Sequence, residues 1–364
     1  MSTPADRLEE RIRRDGPISF LEFMDTALYG PGGYYASGAR IGEPGDFVTS
    51  PHVSPTFARA IANRFRDDDA RLEGPLDFVE AGSGSGAFLE AFAEHIRAQA
   101  PELGERLRLT AIERSAASRQ ALERRGIAPK PRILEDAEDL SDGSVTGWIF
   151  SNELYDALPV ARVAGRKGGG IDELRVGRKG EGFAWERAPA PAEYEDYLAR
   201  FGVVLEEGQV AEIRPSAAAL HRRLARALAR GRLVAFDYGH RTRALFHPVA
   251  RRFGTLAVHS RGRRGRDPLE SPGDRDLTAH VHWDDLIAAG EAEGLATEGI
   301  FRQGRYLAES GVMDLARDER EKWRAFRLID PEGMGEELSV LVQSKGLRAT
   351  ELDSHGPSGR MPGR

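Results

Sequence analysis

A short apolar segment that ends in a carboxylate and opens into glycines has the clearest capacity for chemistry in this sequence. Residues 77–86 read Asp-Phe-Val-Glu-Ala-Gly-Ser-Gly-Ser-Gly, and an apolar-periodic segment follows. This pattern predicts a strand, a tight glycine turn and a helix. Glycine has no Cβ, so the backbone of such a turn can touch a ligand, and the helix start behind it offers free N–H groups. The candidate ligand-binding residues of this turn are Glu80, Gly82, Ser83, Gly84 and Gly86.

The glycine turn fits two classes of ligand. Gly82-x-Gly84-x-x-Ala87 matches the dinucleotide fingerprint. With Glu80 in front, the same glycines match the acidic turn of class I methyltransferases, which bind S-adenosylmethionine. Glu80 favours the second interpretation, because a carboxylate repels a pyrophosphate but suits the ammonium of a methionyl group. Glu113 ends the next predicted strand and is placed to accept hydrogen bonds from ribose hydroxyls in either class.

A second polar cluster follows the fourth predicted strand, where residues 152–159 read Asn-Glu-Leu-Tyr-Asp-Ala-Leu-Pro. Loops at the carboxyl ends of strands face the ligand crevice of a doubly wound sheet. A buried carboxylate needs a partner, and paired carboxylates hold a planar guanidinium through charge-assisted, bidentate hydrogen bonds. Asn152, Glu153 and Asp156 are therefore candidate catalytic residues. The alternative is that Asn152 or Asp156 caps the next segment.

The elements that must position these residues alternate between strand and helix, which predicts an α/β fold whose parallel sheet carries helices on both faces. The predicted strands are 76–81, 107–113, 131–135, 147–152, 209–213, 232–238 and 337–343. The predicted helices are 18–28, 56–65, 88–99, 116–125, 190–201, 216–230 and 282–292, after a first amphipathic helix around Leu8 and Ile12. Residues 162–185 read as a hairpin insertion, and the arginine-rich residues 256–272 read as a loop.

Composition limits the function classes. With 364 residues the chain can bury a sizeable core, and its net charge of −6 gives no reason to expect nucleic-acid binding. Cysteine is absent, which excludes disulfides and thiolate metal sites. No apolar run approaches the roughly 20 residues that span a membrane. We therefore expect a cytoplasmic protein with no membrane partner and no metal, and we interpret His280-x-His282 as structural.

Five stretches together resemble the MidA-type class I S-adenosylmethionine-dependent methyltransferases. These are Tyr-Gly-Pro-Gly-Gly-Tyr-Tyr at 29–35, Gly-Asp-Phe-Val-Thr-Ser-Pro at 45–51, the acidic glycine turn, Asn-Glu at 152 with Asp-Ala-Leu-Pro at 156, and a set near the end of the chain. The last set comprises residues 237–239, 272–273 and 276–281 together with Gln303. The family includes homologues of the mitochondrial complex I assembly factor that methylates a protein arginine.

The resemblance implies a Rossmann-like class I methyltransferase sheet that binds S-adenosyl-L-methionine and methylates an arginine of a protein substrate. Glu80 and the glycine turn would hold the methionyl end of the cofactor, and Glu113 would hold the ribose. Asp136 or Ala137 would lie near adenine, and Asn152 would border the methyl-transfer site. Glu153 and Asp156 would bind the acceptor. Residues 45–51, including Asp46, Thr49 and Ser50, would close over the cofactor.

The same resemblance implies a division of the chain. Residues 1–70 would form a helical and loop cap, and 71–351 the methyltransferase domain. Within that domain we expect an insertion at about 160–205 and substrate-side loops at about 241–280, with a disordered tail at 352–364. The oligomeric state is left open, a homodimer included.

Two alternatives remain at this point. The first is an NAD-dependent oxidoreductase on a Rossmann fold. The second is a catalytically weak S-adenosylmethionine-binding assembly factor, because Ser83 and Ser85 stand where the family usually has Pro and Arg.

Overall fold

The computed structural model describes residues 2–36, 54–180, 182–260, 263–265 and 267–347. Its helices are α1 Pro4–Asp15, α2 Phe20–Tyr29, α3 Pro55–Asp67, α4 Ala87–Gln99, α5 Pro101–Arg106, α6 Ala116–Arg124, α7 Ala192–Arg200, α8 Pro215–Ala227, α9 Thr242–Leu245, α10 Trp283–Ala292, α11 Gln303–Glu309, α12 Glu319–Ile329 and α13 Met334–Glu337. Its strands are β1 Ile18–Ser19, β2 Leu76–Ala81, β3 Leu107–Ile112, β4 Arg132–Leu134, β5 Val145–Asn152, β6 Ala161–Gly165, β7 Ile171–Lys179, β8 Gly182–Pro189, β9 Val210–Ile213, β10 Leu228–His240, β11 Ala257–Ser260, β12 Arg263–Arg264, β13 Asp276–Thr278, β14 Val281–His282, β15 Ala296–Arg302 and β16 Leu338–Lys345.

The main sheet has the strand order β15-β16-β10-β5-β2-β3-β4, and β14 adds a short parallel pairing to the end of β10. Pairing is parallel from β10 to β4, whereas β16 runs antiparallel to both of its neighbours. The strand order reverses at β2, so the loops after β2 and β5 open side by side at the carboxyl edge. In open α/β sheets this is the position of the ligand crevice.

Helices cover both faces of the main sheet, as predicted. Successive strand residues point to opposite faces, so Phe78 and Phe150 pack against α3 and α4 while Val79 and Ile149 face α8. The helix α4 buries Phe88, whose ring stacks on that of Phe150 at a centroid distance of 4.6 Å. The fully buried β2 thus anchors the start of the glycine turn in the core.

Four of the five strands of a second sheet, β6 to β9, lie between β5 and β10 along the chain, and the fifth is β1. This sheet has the order β1-β7-β6-β9, with β8 paired to β7. The helices α1 and α2 pack against it, with Leu8, Phe20 and Val176 in one buried cluster, and α7 contributes Leu198 to another. Two consecutive parallel strands of the main sheet are therefore separated by a folded insertion. The division into a cap at 1–70, a methyltransferase domain at 71–351 and a tail at 352–364 stays a prediction.

Four expectations about elements were wrong. Ile18 and Ser19 form a strand rather than a helix start, because they pair with Val176 and Arg175 of β7. The helix predicted to reach residue 230 ends at Ala227, and the next residues begin β10. The predicted loop at 256–272 contains β11 and β12. The sequence interpretation also missed β15, α11 and α12.

Candidate active site

The glycine turn between β2 and α4 is built on left-handed backbone. Gly82, Gly84 and Gly86 have φ angles of 78°, 52° and 77°. A Cβ on Gly82 would lie 3.0 Å from Leu154 Cδ1, and a Cβ on Gly86 would lie 3.0 Å from Leu122 Cγ. A Cβ on Gly84 would meet no described atom within 4 Å. The middle glycine therefore faces open space, as a turn that receives a ligand requires.

Two buried oxygens beside this turn have no hydrogen-bond donor among the described residues. They are Glu80 Oε2 and Asn152 Oδ1, at the ends of the neighbouring strands β2 and β5. Burial raises the pKa of Glu80 well above its usual range, and the charge of Glu113 adds to this shift. An unsatisfied buried acceptor costs about 1–3 kcal/mol. A cationic donor such as an ammonium group satisfies an acceptor of this kind.

Glu113 connects the turn to the end of β3. Its Oε2 accepts from Gly84 N at 2.7 Å, and its Oε1 accepts from Ser115 N at 2.7 Å. Burial raises the pKa of this carboxyl, although the two backbone hydrogen bonds oppose the shift. A carboxylate has about four lone-pair sites, so ribose hydroxyls can still donate to Glu113 while it fixes the turn.

The other predicted cofactor residues differ in their placement. Asp136 follows β4 and caps a short 3-10 helix at 137–139, where its Oδ1 accepts from Glu138 N at 2.9 Å. Ala137 is buried. Both follow the carboxyl end of β4, and their contact with an adenine stays a prediction. Asp46, Thr49 and Ser50 fall outside the described residues.

The segment after β5 carries the predicted acceptor residues. Glu153 has a φ of 49°, which is strained for a residue with a side chain, and its N–H donates to Phe236 O at 2.9 Å. Strain of this kind costs on the order of 1–3 kcal/mol and clusters at functional sites. Asn152 Nδ2 donates to Glu153 Oε1 at 3.1 Å, so the two side chains are held together. Asp156 is 5% exposed.

Asp237 on β10 accepts hydrogen bonds from the backbone of this segment. Its Oδ2 accepts from Tyr155 N at 2.8 Å and from Asp156 N at 3.3 Å, and its Oδ1 accepts from Tyr238 N at 2.8 Å. Burial raises the pKa of Asp237 to about 7, and Glu153 adds to the shift. Burial also raises the pKa of Asp156, with further contributions from the charges of Asp237 and Asp276.

The charge of Arg214 acts on both Asp156 and Asp237, but its N–H groups donate to backbone oxygens. It donates to Leu158 O at 2.9 Å and His280 O at 3.3 Å, and its Nη2 donates to Asp156 O at 3.0 Å and Ala279 O at 2.7 Å. The guanidinium therefore joins the segment after β5 to the segment after β13. The charge of Arg214 lowers the pKa of Asp156. These hydrogen bonds of Arg214 nevertheless go to backbone carbonyls and not to the Asp156 carboxylate.

The structure thus brings Glu80, the glycine turn, Glu113 and the 152–156 segment together at one edge of the sheet. The sequence interpretation assigned no site role to Asp237, Asp276, Tyr35 or Arg214. Asp237, like Glu80, is an acid near the end of an apolar strand. The same sequence pattern could therefore have identified it as a candidate site residue. Asp276 lies on a three-residue strand, which gives no local signal.

Comparisons with known proteins agree with this geometry. A family model for S-adenosyl-L-methionine-dependent methyltransferases matches residues 56–301. The protein arginine methyltransferase NDUFAF7 of Rattus norvegicus is 26% identical, over 97% of this chain and 88% of its own length. For the Homo sapiens protein of that name the identity is 25%, over 91% and 81% of the two chains. A crystal structure of a Burkholderia thailandensis protein bound to S-adenosyl-homocysteine has 31% identity and a TM-score of 0.83, covering 95% of this chain and 93% of that one.

The chain therefore belongs to the S-adenosyl-L-methionine-dependent methyltransferase family. The predicted MidA-type family, class I methyltransferase fold and S-adenosyl-L-methionine cofactor are confirmed. These findings decide against the NAD-dependent alternative. None of the helices in the described ranges has the length and apolar character needed to cross a bilayer.

Proposed function

We propose that this methyltransferase modifies an arginine side chain of a protein. The observation that carries the proposal is the pair of buried carboxyls Asp156 and Asp237, because Arg214, whose charge acts on both, donates its hydrogen bonds to backbone carbonyls. A cationic ligand would offset the charge of both carboxylates. A guanidinium supplies a delocalised charge and several N–H donors in one plane. The NDUFAF7 relatives, which are named as protein arginine methyltransferases, support the same acceptor.

In this proposal, the site divides into a cofactor half and an acceptor half. Glu80 and Asn152 bind the ammonium of the methionyl group, the glycine turn lies against it, and Glu113 binds the ribose. The bound cofactor supplies an electrophilic methyl group on a positively charged sulfur. Glu153 and Asp156 hold the acceptor so that one guanidine nitrogen lies in line with that methyl group. Positioning of this kind supplies most of the rate enhancement required of a direct displacement.

The transfer requires the protein to accept one proton and to stabilise the positive charge that develops on the acceptor. A lone pair of the guanidine nitrogen forms the new N–C bond, the S–C bond breaks, and its electrons stay on sulfur. The nitrogen then loses a proton. We assign the uptake of that proton to Asp237 and the adjacent Asp156, because burial raises the pKa of both carboxyls. Ionised carboxylates also stabilise the charge that develops on the acceptor.

Label transfer tests the proposal. Wild-type protein is incubated with S-adenosylmethionine carrying a labelled methyl group and with host lysate, and the labelled product is hydrolysed to amino acids. We expect the label in methylarginine. Label in methyllysine or in a carboxyl ester would contradict an arginine acceptor while leaving the methyltransferase activity intact. Binding of S-adenosyl-homocysteine without any label transfer would instead support the catalytically weak assembly factor.

A further inference from the structure

The segment after α2 lies between the two halves of the candidate site. Tyr29 ends α2, and Tyr35 follows on residues 30–36, where its N–H donates to Leu28 O at 2.9 Å. The rings of Tyr29 and Tyr35 stack at a centroid distance of 5.4 Å. Arg114 lies over the Tyr29 ring at 4.7 Å, and Tyr29 OH donates to Ala157 O at 3.0 Å. The pair of tyrosines therefore touches both the end of β3 and the acceptor segment.

Tyr35 makes one contact on each side of the crevice. Its carbonyl oxygen accepts from Ser115 Oγ at 2.9 Å, and Ser115 N is bonded to Glu113. Its hydroxyl donates to Asp276 Oδ1 at 2.8 Å. A continuous hydrogen-bonded path thus runs from Gly84 through Glu113, Ser115 and Tyr35 to Asp276. This path fixes one buried acid on the acceptor side relative to the turn that binds the cofactor.

Asp276 and Asp156 belong to segments that are tied together. Ala279 N donates to Asp156 O at 3.0 Å, and Arg214 Nη2 donates to the backbone carbonyls of Asp156 and Ala279. Asp276, three positions before Ala279, is 6% exposed. Burial raises the pKa of Asp156, and the charges of Asp237 and Asp276 add to the shift. A cationic ligand bound beside these two segments would offset the charge of both carboxylates.

We propose that Asp276, oriented by Tyr35, is an acceptor-binding carboxylate that acts together with Asp156. This inference rests on the proposed arginine acceptor, whose guanidinium presents two edges of N–H donors to two carboxylates. Asp276 makes the contact with the acceptor, whereas Tyr35 is a positioning residue that acts through Asp276. The hydrogen bond from the tyrosine hydroxyl holds Oδ1 of Asp276 in place.

Binding of a minimal acceptor tests this assignment in the full-length protein saturated with S-adenosyl-homocysteine. N-acetyl-arginine amide is the probe, and N-acetyl-citrulline amide is its uncharged counterpart. We expect wild-type protein to bind only the arginine probe. Asp276→Asn keeps the shape of the side chain and an oxygen for the Tyr35 hydroxyl but removes the charge. It should weaken binding of the probe about 10- to 100-fold, since one charge-assisted hydrogen bond is lost.

Two further variants separate positioning from general stability. Tyr35→Phe should weaken probe binding by a smaller factor, and in the Asp276→Asn background it should add little, because both changes act on one contact. Tyr197→Phe is the matched control: it removes a tyrosine hydroxyl bonded to His282 Nδ1 at 2.8 Å, at a site not assigned to the reaction. We expect a lower melting temperature for Tyr197→Phe with unchanged probe affinity.

The outcomes distinguish this inference from the proposed function. Arginine-selective binding that Asp276→Asn leaves unchanged would overturn the role of Asp276 and leave the arginine acceptor standing. Equal binding of the arginine and citrulline probes would contradict the proposed function, and binding of neither would contradict both. Full additivity of Tyr35→Phe and Asp276→Asn would overturn the positioning role of Tyr35.

Discussion

Replacing Gly84 by valine separates the ligand-binding role of the glycine turn from its structural role. Gly84 has a φ of 52°, and the space where a Cβ would go is open in the described structure. A Cβ there meets no described atom within 4 Å. The valine side chain would occupy the space next to Glu113, where the cofactor is expected. We therefore expect a small loss of stability and a large loss of cofactor affinity.

The stability cost of Gly84→Val follows from the backbone conformation. A residue with a side chain in the left-handed region costs about 1–3 kcal/mol. Unfolding entropy is about 2.1 cal/mol/K per residue, so 1 kcal/mol shifts the melting temperature of a 364-residue chain by about 1–2 °C. The expected decrease is about 1–5 °C. Affinity for S-adenosyl-homocysteine should fall at least about 100-fold, which corresponds to about 2.7 kcal/mol.

Gly143→Val is the matched control. Gly143 has a φ of 62°, and its Cβ would also lie in open space, but it precedes the amino end of β5 at the opposite edge of the sheet. Both variants should therefore lose a similar amount of thermal stability. Calorimetric titration with S-adenosyl-homocysteine should detect normal binding only for the Gly143 variant. Wild-type affinity in Gly84→Val would refute the assignment of this turn to the cofactor.

Three further outcomes are expected. Glu153→Gln and Asp156→Asn should each keep cofactor affinity within about twofold but lower turnover about 10- to 100-fold; normal turnover with a lower melting temperature would indicate a structural role. Asp237 holds a proton in the folded state up to about pH 7, against about 3.9 when unfolded. Its contribution to stability is therefore present below about pH 4 and lost as pH rises through 7. Urea unfolding of Asp237→Asn should show the variant gaining stability relative to wild type between pH 5 and pH 8. For the same reason kcat/KM for the acceptor should rise between pH 6 and pH 8, because Asp237 must ionise before it can take up the proton of the acceptor nitrogen; a flat profile would contradict that role.

Local patterns were sufficient where an element and its ends depend on neighbouring residues. The strand 76–81 was predicted with its observed bounds, because an apolar run is closed by a carboxylate and glycines. Ile18 and Ser19 were assigned to a helix because their pairing with β7 lies more than 150 positions away in sequence. The strands β11 and β12 were missed because arginine-rich composition conceals the pairing of Ala257 with Thr278.

The residues of the candidate site also differ in whether the local sequence predicts them. Glu80, Glu113 and Asn152 were found from sequence because each is a polar residue at the end of an apolar strand, and topology brings such ends together. Asp276 reaches the crevice through the pairing of β13 with β11 and through Arg214, which binds carbonyls of two distant segments. No periodicity near residue 276 encodes that placement. Glu153 was assigned to the acceptor because it follows the fourth predicted strand, and its left-handed backbone became visible only in the structure.

A crystal structure of the protein with S-adenosyl-homocysteine would test the central claim, that the cofactor turn and the acceptor carboxylates form one site. The measurement is the distance from the cofactor sulfur to the nearest oxygens of Glu153 and Asp156. A guanidine nitrogen approaches the methyl carbon to about 3–3.5 Å, and its hydrogen bonds to carboxylates are about 2.7–2.9 Å long. We therefore expect sulfur-to-oxygen distances of roughly 5–9 Å. A cofactor bound away from the glycine turn, or a sulfur more than roughly 12 Å from both carboxylates, would contradict the claim.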